Sequence, residues 1–149
     1  MRSSVLSRTG YVIFLSNCPI LWVSKLQTEI ALSTTEAEYI ALSQSMRDLL
    51  PLREILKELS KILDFKITTP ITHSTVFEDN NGALELANQP KYRPRTKHIS
   101  IKYHHFRDQV IKGQVRIMAI NTKDQRADIM TKPKEKQGFE QLRFSINGW

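Results

Sequence analysis

Glu38, Asp79 and Asp128 are the residues of this 149-residue chain whose types and settings point to chemistry. Asp79 ends a short β-rich run, Ser74–Asp79, and open α/β sheets place ligands at the carboxyl ends of strands. Asp128 falls in the first turns of a helix expected directly after another strand-like run, Val115–Ile120. Glu38 extends an apolar helix stripe by one turn toward its start. Its carboxylate is therefore aimed at an interior face, where an unpaired charge is costly. Three carboxylates gathered at one end of a sheet repel unless cations hold them together, and Mg²⁺ suits such oxygen ligands. A pair of such ions is a device for phosphodiester hydrolysis. Taken singly, the same residues also fit a helix cap, a strand-end turn and a helix N-terminal charge.

The elements that must position them read in order along the chain. Gly10–Ser16 and Ile20–Leu26 are β-rich and separated by Asn17, Cys18 and Pro19, which predicts an antiparallel hairpin. A third short apolar stretch, Ile30–Leu32, follows. Ser33 and Glu36 have capping-box spacing, so a helix starts here. Leu42, Met46, Leu49, Leu52, Leu56, Leu59 and Leu63 then recur at three- and four-residue steps. The stripe keeps its phase across Pro51, which predicts a kink in preference to two helices. Ser60–Thr72 reads as a connection.

The strand ending at Asp79 comes next, with Glu78 expected on the opposite side of that strand. Asn80 or Asn81 caps a helix, GALELAN, which Pro90 ends. Lys91–Lys97 is a basic loop. Ile99–Lys112 has helical spacing, Val115–Ile120 is the last strand, and KDQRADIMTK is a helix capped by Asn121 or Thr122 and ended by Pro133. Residues 134–149 are expected to be a loosely attached tail after a domain spanning 1–133. The fold class is α/β, a mixed sheet with helices against it.

Composition narrows the partners. Lys and Arg number 22 against 15 Asp and Glu, giving a net charge of +7, a weak pointer to a polyanion. Cys18 is the sole cysteine, so no internal disulfide forms and a reducing, intracellular setting is expected, cytoplasmic or nuclear and not secreted. No apolar run approaches the roughly 18 residues of a membrane span, so no membrane partner is expected. The apolar core of the amino-terminal segment, Tyr11–Leu15, is too short for a signal peptide. His98, His104 and His105 lack a convincing zinc spacing and read as surface or packing residues.

Several segments carry a resemblance. RTGYVIFL, ILWVSKLQTEIALSTTEAEYIAL, FEDNNGALELANQP, RTKHISIKYHHFRD and DQRADIMTKP together resemble the ribonuclease H domain of copia-type (Ty1/copia) retrotransposon Pol polyproteins. They occur in that family's order over about Ser7 to Pro133. The resemblance implies a ribonuclease H-like fold and hydrolysis of the RNA strand of an RNA–DNA hybrid, beside the reverse transcriptase region of a parent polyprotein. It implies two Mg²⁺ ions held by carboxylates, of which Glu38, Asp79 and Asp128 match three. One ion would activate the attacking water and the other would steady the leaving 3′ oxygen. Asn80 and Asn81 would contact the hybrid's sugar–phosphate edge. Lys91, Arg93, Arg95 and Lys97 would supply phosphate contacts, against an ordinary solvated loop as the alternative. Related enzymes sometimes carry a histidine before the last aspartate, and Asn121–Arg126 has none.

The resemblance also marks a departure. The family begins with a strand bearing a first catalytic aspartate, and Met1–Ser4 already match the turn after it. That strand lies between the hairpin and the strand ending at Asp79, so its absence is expected to leave two ladders unpaired and a gap in the core. Unmet buried backbone groups cost about 1–3 kcal/mol each, against a domain stability of about 5–15 kcal/mol. The expectation is a truncated remnant or incomplete gene model with weakened metal binding and little activity alone. Two alternatives stand beside it: a nuclease that borrows the strand from elsewhere, and a non-catalytic nucleic-acid-binding or interaction remnant.

Overall fold

Alternating β-formers on either side of a tight turn set up the first element pair. The structure, a computed structural model, describes residues 6–63, 74–88 and 104–148. Strands β1 (Arg8–Leu15) and β2 (Cys18–Leu26) pair antiparallel, with an irregularity between Ile13 and Phe14 opposite Pro19. Ser16 and Asn17 both take positive φ, 48° and 65°, the geometry of a two-residue hairpin turn whose twist matches its strands. Ile30–Leu32 forms no strand, and Ile30 and Leu32 are exposed.

Helix α1 (Thr34–Ile62) follows and runs through Pro51 as a single element. Its start is fixed by side chains: Ser33 Oγ accepts the Glu36 N–H at 3.1 Å and Glu36 Oε2 accepts the Leu32 N–H at 2.8 Å. Strand β3 (Ser74–Glu78) pairs parallel with β4 (Val115–Ala119). Between them lie α2 (Asn81–Asn88) and the short α3 (Arg107–Ile111). Of the helix expected over Ile99–Lys112, residues 99–103 lie outside the described residues, and His104–Phe106 precede the helix.

Two short 3-10 helices, Thr122–Asp124 and Arg126–Met130, stand where one longer helix is expected from KDQRADIMTK. Gln125, at φ −69° and ψ 97°, is extended backbone and separates them. Asn121 caps the first as anticipated, its side chain accepting from Lys123 N–H. The carboxyl-terminal segment is also more ordered than a loose tail. It forms α4 (Lys136–Asn147), buries Leu142 and Ile146, and packs on β2 and the second 3-10 helix.

The core lies between α1, α2 and the β3–β4 sheet: Tyr39, Ile40, Leu42, Met46, Ala83, Ala87, Phe106, Val115 and Ile117. Full burial of each larger side chain contributes about 1.5–3 kcal/mol. Buried Arg53 ties α1 to both strands, donating to Ser74 Oγ at 3.0 Å, to the Gln114 carbonyl and to Gln114 Oε1 at 3.3 Å. The α1 stripe is buried only in its first half. Leu42 and Met46 enter the core, Leu52 and Leu56 line a cavity, and Leu59 and Leu63 are exposed.

That cavity, of about 850 Å³, opens between the two small sheets. Tyr11–Leu15 and Ser74–Glu78 line it as consecutive residues, so the strands present their edges to it. Among the described residues each of these strands has one partner, β2 for β1 and β4 for β3.

Candidate functional site: a carboxylate cluster lining one cavity

Glu38, Asp79 and Asp128 reach this one cavity from three different elements, and each is placed by contacts that can be named. Glu38 sits in the second turn of α1. Buried Gln27 holds that turn against the hairpin, donating from Nε2 to the Ala37 carbonyl at 2.8 Å and to Thr9 Oγ1 at 3.3 Å. Asp79 follows the last residue of β3. Beside it Asn80 Oδ1 accepts the Ala83 N–H at 3.0 Å, which caps α2, and Thr35 donates to the same oxygen at 3.3 Å. A Cβ on Gly82 would lie 2.7 Å from Thr35 Oγ1, so the glycine permits α2 to approach the start of α1. The two helix starts are thereby joined next to Glu38 and Asp79.

Asp128 lies on the second 3-10 helix, which bridges the two sheets. A Cβ on Gly10 of β1 would sit 2.4 Å from Thr131 Cγ2, so only glycine allows this approach. Ser24 donates to the Met130 carbonyl at 2.6 Å, and Gln125 donates to the Phe77 carbonyl at 3.2 Å. The Arg126 guanidinium stacks over Phe14, 4.9 Å from the ring centroid.

The electrostatics of the three are coupled. Burial pushes the Glu38 carboxyl above its usual range; Asp79 and Asp128 push it further, and Lys132 opposes them. Asp128 is buried, with 5% exposure, and both its oxygens are engaged: Lys132 Nζ stands 3.1 Å from Oδ1 and Lys134 Nζ 2.9 Å from Oδ2. Burial lowers the proton affinity of Lys132, but Asp128, Glu38 and Asp79 outweigh it and hold the ammonium above its usual range. The charge that the carboxylates need is thus supplied by the chain itself.

Glu78 belongs to this cluster too, contrary to its expected place on the far side of the strand. It is 6% exposed, it lines the cavity, and burial, aided by Glu38 and Asp79, pushes its carboxyl to about 7. The strand's own alternation contained the signal: Ser74, Val76 and Glu78 are the less exposed set, while Thr75 and Phe77 face out. Asp79 lies past the strand's end and is not bound by that alternation.

The expected nucleic-acid contacts divide. Asn80 uses its side-chain oxygen in the α2 cap, and Asn81 is exposed at the first position of α2. Lys91, Arg93, Arg95 and Lys97 lie outside the described residues. His104 is buried with its Nδ1 2.6 Å from Tyr39 Oη, a packing arrangement.

The fit of a resident divalent ion follows from this geometry. Among the described residues no group of three or more His, Cys, Asp or Glu is arranged to hold a metal ion. The acidic donor types suit Mg²⁺, yet both oxygens of Asp128 face ammonium groups. As placed, the residues do not form a metal cage.

Sequence comparison decides the family. The chain is 34% identical over 145 residues to the retrovirus-related Pol polyprotein from transposon RE1 of Arabidopsis thaliana, an alignment covering 97% of this chain and 9% of that protein. It is 37% identical over 134 residues to the corresponding polyprotein from transposon TNT 1-94 of Nicotiana tabacum, covering 90% and 10%. This chain belongs to the transposon Pol polyproteins of copia type. The family reaches yeast: the Ty1-DR5 Gag-Pol polyprotein of Saccharomyces cerevisiae is 28% identical over 143 residues. The chain spans about a tenth of the length of these Pol relatives and corresponds to one region of such a polyprotein. No family model and no solved structure matches it. No helix among the described residues is long and apolar enough to cross a membrane.

Proposed function

We propose that this region of the Pol polyprotein is its ribonuclease H-like part, a domain whose task is hydrolysis of the RNA strand of an RNA–DNA hybrid. The observation that carries the reading is that Glu38, Asp79 and Asp128, from a helix, a strand end and a 3-10 helix, line one cavity. Nothing in the packing alone calls for acidic residues on all three elements. Bringing like charges together raises the proton affinity of Glu38, a cost that functional sites bear more often than structural ones.

In this reading the ribonuclease H-like fold is completed by a further strand in the slot between β1 and β3. The reading is supported by the cavity between β1 and β3, which Tyr11–Leu15, Ser74–Glu78, Leu52 and Leu56 line. Among the described residues Lys132 and Lys134 balance Asp128 in this cluster. Mg²⁺ is the cofactor proposed for the completed domain, supplying charge neutralisation at the scissile phosphate. The residues of this chain contribute the acidic lining, and the hairpin and α4 hold the 3-10 helix in place.

The test is an end-labelled RNA–DNA hybrid incubated with the full chain and Mg²⁺. Binding that weakens with salt, with RNA cleavage slow or undetectable, is expected of the chain alone. Absence of hybrid binding at low salt contradicts the reading. A second reading is favoured by one observation, the ammonium pair on Asp128: a nucleic-acid-binding remnant that never cleaves, whatever strand is supplied.

A further inference from the structure

Helix α4 has 12 residues, and helices shorter than about 12–15 residues are marginal in water unless they pack. Gly138 lies inside it, and no side-chain hydrogen bond caps its start at Glu135. The Ser145 hydroxyl bonds within the helix, to the Leu142 carbonyl. The helix therefore depends on what its two buried residues, Leu142 and Ile146, pack against. It lies on β2 and on the 3-10 helix that carries Asp128. Leu142 also lines the 850 Å³ cavity, with Gln141 and Ser145. Where a side chain borders empty space it has no atoms to meet, so part of the anchoring of α4 is unrealised.

Leu52 and Leu56 of α1 line the same cavity, as do the consecutive residues Tyr11–Leu15 and Ser74–Glu78. Among the described residues β1 and β3 have one partner each, so backbone donors and acceptors are on offer there. An extended segment meets both needs, whereas a small apolar molecule leaves the strand edges unsatisfied. We infer that α4 is a strap over this cavity, docking weakly while it is empty and firmly once a strand fills it. The inference rests on the proposed completion of the fold by a strand between β1 and β3, and it adds a consequence of that step. Such a strand brings side chains to the residues that line the cavity, Leu142 among them. Filling the cavity and docking α4 then stabilise one another by the same amount, as two linked equilibria must.

Hydrogen exchange tests this, comparing the full chain with the full chain fused to an added strand of alternating apolar and polar residues. Amides of residues 11–15 and 74–78 report insertion, and those of residues 136–147 report the strap. With insertion, exchange in α4 is expected to slow about tenfold. Leu142→Ala in the fusion is expected to return α4 to its rate in the unfused chain. Phe144→Ala, at an exposed residue of α4 that does not line the cavity, is expected to leave the slowing in place. Should Leu142→Ala unfold α4 outright, Leu142→Val carries the comparison, with the slowing expected to shrink to about threefold. Slower exchange in β1 and β3 with α4 unchanged overturns the inference and leaves the proposed function standing. Unchanged exchange in β1 and β3 overturns the strand completion on which both rest.

Discussion

Gln125 donates from Nε2 to the carbonyl oxygen of Phe77 at 3.2 Å, so the segment carrying Asp128 is tied to the strand that leads to Asp79. The Ser24–Met130 hydrogen bond makes the matching tie to the hairpin. Two acidic residues 49 positions apart are thus positioned by two polar side chains that are not acidic. Gln125→Ala and Ser24→Ala are each expected to cost about 0.5–1.5 kcal/mol, the net worth of one hydrogen bond. Hydrogen exchange at residues 126–131 checks the consequence: faster exchange there, with α2 unchanged, is the expected outcome.

Gly10→Ala is a sharper test of the same bridge. The added methyl meets Thr131 Cγ2 at 2.4 Å and Met130 Cβ at 2.8 Å, and one of the two segments must move. A loss of about 1–3 kcal/mol in urea unfolding is expected. Gly138, whose added Cβ meets nothing within 4 Å, is the control, and Gly138→Ala should stabilise α4 by a few tenths to about 1 kcal/mol.

Arg53→Met probes the other end of α1. Arg53 is 4% exposed, and its guanidinium donates to Ser74 and Gln114 at the starts of β3 and β4. Its removal leaves the Gln114 carbonyl without that donor, for an expected loss of about 2–4 kcal/mol. Exposed Arg47, on the same helix, should tolerate alanine within about 0.5 kcal/mol.

How far the sequence reveals this molecule depends on the kind of signal. Glu38 is found by stepping an apolar stripe back one turn, and Asp79 by its place after a strand, because both follow local periodicity. The hairpin and the Ser33 cap are legible for the same reason. Glu78 is obscured because the alternation was anchored on Asp79, which lies outside the strand. Lys132 and Lys134 carry no periodic signal; they meet Asp128 from four and six residues further along the chain. α4 was legible in principle: Phe139, Leu142 and Ile146 are spaced by three and four, and Gly148 has the left-handed conformation of a helix stop. The cavity is a tertiary property, set by which strand edges find partners.

Glu78 gives the fold a pH dependence of definite sign. Its carboxyl is raised from 4.5 to about 7, so between those values the folded chain binds more protons than the unfolded one. Stability is therefore greatest below about pH 4.5 as far as this group is concerned, and falls as pH rises through about 7. Glu78→Gln removes the charge but keeps an acceptor for the Asn80 N–H. It is expected to gain about 2–3 kcal/mol at pH 8, to gain little at pH 4.5, and to flatten the profile between. Thermal unfolding across that range reads the difference.

The measurement closest to the central claim is RNA cleavage by the full chain fused to an aspartate-bearing strand placed to enter the slot between β1 and β3. With Mg²⁺ and a labelled RNA–DNA hybrid, cleavage of the RNA strand is predicted, lost in Asp79→Asn and in Glu38→Gln. A fusion that unfolds cooperatively, binds the hybrid and still leaves the RNA intact would contradict the account.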